Sequence, residues 1–183
     1  MFDAAKAQLA RRSALKQVQR RVVWSWTPDP AARRVLAVLP TGEAAREAWR
    51  FVKSLGLPPK QIIPVVLAGD VSVVPAAFVS RVIRLEDNDI NLIGLPKQDF
   101  AERVWAMEPD VAFSLTPAFD IASAYLVGAS PAPFRVGLFD DEAEPYYDLM
   151  TAPSEEGAPT FSLLRETLLR IRPPVLNLEP EDY

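Results

Sequence analysis

The sequence predicts an α/β sandwich: a mainly parallel sheet of five or six strands with helices on both faces, preceded by a basic amphipathic helix. Three observations lead there. Short, unbroken apolar runs alternate with amphipathic stretches along most of the chain. Turn and cap residues separate them at intervals that suit strand, crossover and helix. Parallel strands need such crossovers, so repeated β-α alternation argues for one wound sheet rather than a meander.

At the N-terminus, Phe2, Ala5, Leu9, Leu15, Val18 and Val22 recur near helical spacing, so residues 3–21 read as a helix with those positions inward. Residues 1–34 carry eight basic against two acidic side chains, a net +6, and the remainder carries −10 of the chain's overall −4. Thr27-Pro28-Asp29-Pro30 is a turn. Val35 to Leu39 is then continuous and partly β-branched, as expected of a strand covered on both faces. Thr41 is placed to cap a helix over 43–55, with Ala45, Trp49, Val52 and Leu55 inward and Gly56 as the stop. Ile62 to Leu67 gives a second strand and Val82 to Leu85 a weaker third. Asp99 caps a helix to about 108, and 110–115 is a fourth strand. A helix over 118–127 stops at Gly128, Phe134 to Phe139 is a fifth strand, and 147–150 a sixth. The 152–159 stretch is a polar loop, 160–172 a last helix ended by Pro173 and Pro174, and 173–183 an acidic tail. The whole reads as one Rossmann-like domain over 35–172 behind a helix and connector over 1–34.

Composition removes several chemistries. The 183 residues include no cysteine and no histidine. Imidazole bases, histidine and thiolate metal sites, thiol nucleophiles and the Ser/His/Asp triad are therefore absent. No apolar run reaches the length of a membrane-spanning helix, because Ile62 to Val79 is broken by Pro64, Gly69, Asp70 and Pro75. With basic residues where a signal peptide would need an apolar core, the expected compartment is the cytoplasm.

Ligands of this fold class sit beyond the carboxyl ends of the strands, which directs attention to Leu39-Pro40-Thr41-Gly42-Glu43 and to Leu115-Thr116-Pro117. Neither a G-x-G-x-x-G turn nor a Gly-Lys-Ser/Thr phosphate loop occurs, so no nucleotide cofactor is expected. The candidate crevice is Thr41, Gly42, Glu43, Leu115, Thr116 and Arg135, with a small anion or a sugar-like group as its ligand. Glu43 is the one weak catalytic candidate, as a base with Arg135 or Arg46 steadying negative charge. Glu86-Asp87-Asn88-Asp89 opens like a calcium loop, but Leu92 stands where the turn needs glycine. Asp140-Asp141-Glu142 and Glu144 read as a solvated turn, and no metal is expected. Trp24 and Trp26 alternate as on a strand, but core packing is the expectation for all four tryptophans.

The segment Asp110-Val111-Ala112-Phe113-Ser114-Leu115, then Ser123, Ala124, Leu126, Gly128 and Ala129, then Phe134-Arg135-Val136-Gly137, resembles the N-terminal, acceptor-side half of heptosyltransferase-type glycosyltransferases. Together with Tyr147-Asp148-Leu149-Met150 it resembles even more a family of short uncharacterised bacterial proteins. The first resemblance implies a Rossmann-like fold, and Gly42-Glu43 as the nearest counterpart of the acceptor domain's glycine and acidic residue. In those two-domain enzymes the nucleotide-sugar donor binds largely to a second Rossmann half, for which this chain has no room.

Three functions follow as expectations. The first is a non-catalytic binding or assembly module using the strand-end crevice. The second is a small carboxylate enzyme built on Glu43. The third is docking on nucleic acid or an anionic membrane through Arg11, Arg12, Arg20 and Arg21, disfavoured by the acidic body. A second copy or protein partner on the N-terminal helix is the remaining reading of that basic face.

Overall fold

A computed structural model describes residues 2–18, 34–67, 74–152 and 161–171. Its sheet has six strands, β1 (Val35–Leu39), β2 (Ile62–Leu67), β3 (Ile83–Leu85), β4 (Val111–Ser114), β5 (Phe134–Leu138) and β6 (Leu149–Thr151). Their order is β3-β2-β1-β4-β5-β6, and every pairing is parallel. Chain order reverses between β1 and β4, which is the Rossmann arrangement and opens a crevice at the carboxyl ends of those two strands. The edges are three-residue strands, short enough to offer little surface for stray pairing.

Alternation within each strand divides the core into two layers. Val35, Ala37, Leu39, Val111, Phe113, Phe134 and Val136 face α2 (Glu43–Ser54), α3 (Ala76–Val79) and α6 (Ser162–Ile171), where Trp49, Phe51, Val52, Phe78, Leu164 and Leu168 cover them. Leu36, Val38, Val65 and Ala112 face α1 (Phe2–Gln17), α4 (Gln98–Trp105) and α5 (Ile121–Gly128). All five residues of β1 are buried, so the continuous apolar run is what a strand with helices above and below requires.

Several boundaries differ from the sequence expectation for local reasons. Thr41 does not cap α2; Gly42 does, at φ +67 and without a side-chain bond. Asp99 sits in the first turn of α4, with Lys97 at the cap. The next helix starts three residues late because Asp120 caps it, its carboxylate accepting the Ser123 N–H at 2.7 Å. Gly128 belongs to that helix instead of stopping it. Its missing side chain lets Tyr146 approach, since a Cβ there would lie 2.8 Å from the ring. The sixth strand begins at Leu149, leaving Tyr147 and Asp148 in the connection from β5.

The N-terminal helix departs most. Its inward residues are Ala10, Ala14 and Val18, an i, i+4, i+8 stripe, while Leu9 and Leu15 are exposed. Small side chains let α1 settle close onto α5, where Gln17 accepts a hydrogen bond from the Tyr125 hydroxyl at 2.7 Å. Arg11 pairs with Glu142 and lies 5.6 Å from the Phe119 ring centre. The helix is therefore part of the domain's own core. Arg20, Arg21, Trp24, Trp26, the turn expected at 27–30, residues 153–159 of the expected loop and the expected acidic tail lie outside the described residues.

Candidate functional site

The carboxyl end of β4 carries Ser114 on the α5 side of the sheet, because Val111 and Phe113 alternate with it onto the other layer. Ser114 hydroxyl lies 2.7 Å from that of Ser123 on α5 and 3.1 Å from that of Thr116. All three side chains are buried. Tyr147 lines the same notch as Ser114 and Thr116, with its hydroxyl near Ser114. Burial raises the Tyr147 hydroxyl above its ordinary 10.0; Ser114 opposes the shift, and the carboxylates of Asp120 and Asp140 add to it.

Tyr147 reaches this position because Gly137 has no side chain. The tyrosine ring packs against β5 at Gly137, where a Cβ would stand 2.5 Å from Cδ2 and 2.8 Å from Cζ. Its neighbour Asp148 holds the strand end. Asp148 accepts from Arg135 Nε at 2.9 Å and from Arg135 Nη2 at 2.7 Å, while Arg135 Nη1 donates to the Gly128 carbonyl at 2.6 Å. The Asp148 N–H also donates to the Arg135 carbonyl at 2.8 Å. This fork-to-carboxylate pair pins the connection from β5 to α5 and β6.

Between the ends of β4 and β5 these residues leave a shallow notch lined by Ser114, Thr116, Phe119, Phe139, Asp140 and Tyr147. It has room for about one water-sized group. Phe139 stands at its rim with 53% of its surface exposed, an aromatic face next to buried hydroxyls.

Of the residues named from the sequence, Thr116 lies in this notch. Leu115 is fully buried in the opposite layer, its N–H donating to the Val38 carbonyl at 2.9 Å. Thr41, Gly42 and Glu43 are exposed on the β1–α2 turn, and a Cβ on Gly42 would meet nothing within 4 Å. Arg135 does not face the crevice. It is 4% exposed, sits level with Ala112 near the amino end of the sheet and is committed to Asp148. Glu43 and Arg135 thus lie at opposite ends of the strands, while Arg46, the other partner named for Glu43, is exposed one turn along α2 from it.

The acidic segments are also accounted for. Residues 87–89 form a single 3-10 turn with a capping box from Glu86, and Asp89 lies 3.7 Å from Arg103. Asp140 accepts from the Glu142 N–H at 2.9 Å. Among the described residues no three carboxylates converge as a metal site would need, and no helix is long and apolar enough to cross a membrane.

Sequence reasoning passed over Tyr147, Phe139 and Asp140 as site residues. Ser114 and Ser123 offered a faint signal, two small polar residues in otherwise apolar elements. The tyrosine offered none, since it arrives from 33 positions beyond Ser114 through the fold of the β5–β6 connection.

No curated protein and no solved structure matches the chain. One family model does, over residues 42–169, a stretch that runs from the β1–α2 turn into α6 and contains every residue of the notch and the Arg135–Asp148 pair. The chain belongs to a family of unknown function, DUF6913.

Proposed function

We propose that the protein is a non-catalytic Rossmann-like binding module that takes a neutral, hydroxyl-bearing group, such as one face of a sugar, at the notch between β4 and β5. The observation that carries this reading is the cluster of buried Ser114, Thr116 and Ser123 with half-buried Tyr147, beside the exposed ring of Phe139. Hydroxyls both donate and accept, so such a cluster can exchange its internal bonds for those of a ligand hydroxyl without stranding a polar atom. The aromatic ring offers an apolar platform for the rest of a pyranose, the usual division of labour in small-molecule sites.

Electrostatics favours the sugar-like group over the small anion. The carboxylates of Asp120 and Asp140, which favour the neutral form of Tyr147, also repel an anion entering the notch. The N-terminus of α5, the nearest ready donor for phosphate, is already occupied by Asp120. A sugar-like ligand also agrees with the acceptor-half resemblance of residues 110–137.

The test is thermal shift and titration calorimetry with glucose, galactose and mannose against inorganic phosphate. A sugar is expected to raise the melting temperature and phosphate is not. Thr116→Val and Phe139→Ala are expected to remove the sugar response. Stabilisation by phosphate alone, or a sugar response untouched by both variants, would overturn the reading. So would turnover of a nucleotide sugar that requires these residues.

A further inference from the structure

Helix α1 rests on α5 by its alanines and turns Leu9 and Leu15 outward. Leu9 and Leu15 are 56% and 41% exposed, and the adjacent loop 92–94 adds Leu92 at 95%. The two segments form one surface: Ile93 lines a groove with Leu9, Arg12, Leu15 and Lys16, and Lys6 reaches to 4.0 Å from where a Gly94 side chain would begin. Lys6, Arg12 and Lys16 are exposed, and residues 4–18 contain no acidic side chain.

The exposed leucines offer anchors for acyl chains, and the cations between them offer partners for lipid phosphates. The alternatives fit less well. Pairing α1 with α1 of a second copy would set like charges against each other. Nucleic acid would engage the cations but gain nothing from three solvent-facing leucines. Because the segment leading to loop 92–94 also carries exposed Glu86 and Asp87, charge alone gives weak attraction and the leucines must contribute.

We infer that α1 and loop 92–94 dock the protein reversibly on an anionic lipid surface. Leu9, Leu15 and Leu92 enter the boundary between headgroups and acyl chains, and Lys6, Arg12 and Lys16 meet the phosphates. This surface is separate from the notch, so either proposal can fail without the other.

Co-sedimentation of the full chain with vesicles of phosphatidylglycerol and phosphatidylcholine in equal parts, against phosphatidylcholine alone, tests it. Binding to the mixed vesicles is expected, with loss as salt rises from about 0.05 to about 0.5 M. The Leu9→Ser, Leu92→Ser double variant, altered only at exposed positions, should bind about tenfold more weakly with an unchanged melting curve. The Arg12→Glu, Lys16→Glu variant should do the same. No binding by the unaltered chain, or equal binding to both vesicle types, would overturn the proposal. Binding that survives loss of the leucines would also overturn it, and its transfer to a DNA duplex would then mark the surface as a phosphate reader.

Discussion

Gly137→Ala is the substitution whose outcome the structure fixes most tightly. The new methyl carbon would lie 2.5 and 2.8 Å from two carbons of the Tyr147 ring, whereas carbon pairs attract best near 3.5–4.0 Å. Overpacking of this kind costs about 1–3 kcal/mol. Alanine in a strand regains roughly 0.5–1 kcal/mol over glycine, because glycine loses more backbone freedom on folding. The net expectation is a loss of about 1–2 kcal/mol. The same change made in a Tyr147→Ala background meets no ring, so it should be neutral or stabilising by roughly 0.5 kcal/mol. Urea unfolding followed by tryptophan fluorescence, with unchanged slopes, measures both arms of the cycle. An equal cost in the two backgrounds would refute the argument that the tyrosine ring is what requires glycine there. A gain in stability in the unaltered background would refute the overlap itself.

Three further outcomes are expected. Arg135→Met takes the guanidinium away from Asp148 and the Gly128 carbonyl in a site 5% and 13% exposed, leaving the Asp148 carboxylate with the N–H of residue 135, so it should cost about 3–5 kcal/mol by denaturant unfolding. Ala14→Leu, at a fully buried contact, should cost about 1–3 kcal/mol, while Leu9→Ala should stay within about 0.5 kcal/mol, the reverse of what hydrophobicity alone would rank. Tyr125, Tyr146 and Tyr147 all have hydroxyls raised above 10.0, chiefly by burial. A raised folded value means that the folded state holds the proton more tightly. Their contribution is therefore complete below pH 10.0 and lost as pH rises above it, and Tyr147→Phe should flatten that alkaline decline in a pH series of melting temperatures.

The sheet was legible because its central strands are covered on both sides. Val35 to Leu39 and Ile62 to Leu67 are apolar without interruption, a pattern that length and flanking turns assign to strands. Helix faces were legible where burial follows residue size, as at Trp49 and Val52 of α2. It failed at α1, where close approach to α5 selects Ala10 and Ala14 and leaves Leu9 and Leu15 outside. Periodicity ranks residues by hydrophobicity, but a helix laid tightly on another is chosen by smallness. The Arg-x-Gly strand end was visible as a motif, while its meaning was not. Arg135 reads as an anion contact until Asp148, placed by the β5–β6 connection, is seen to take its Nε/Nη2 edge and the Gly128 carbonyl its Nη1.

The site and the sheet edge depend on the same few residues. Gly128 admits Tyr146, Gly137 admits Tyr147, and Arg135 ties Asp148 to α5, so one ten-residue connection both delivers β6 to the sheet and closes the hydroxyl cluster. A defect in any of these contacts must therefore loosen the notch and the edge strand together. This gives the binding proposal a signature that a merely structural cluster would lack. A ligand hydroxyl held by Ser114, Thr116 and Tyr147 stabilises the connection and so slows hydrogen exchange in β6, which it never touches. If sugar-induced protection stops at the notch and leaves residues 149–151 unchanged, the cluster and the edge are not one cooperative unit, and the link between site and fold argued from the two glycines fails.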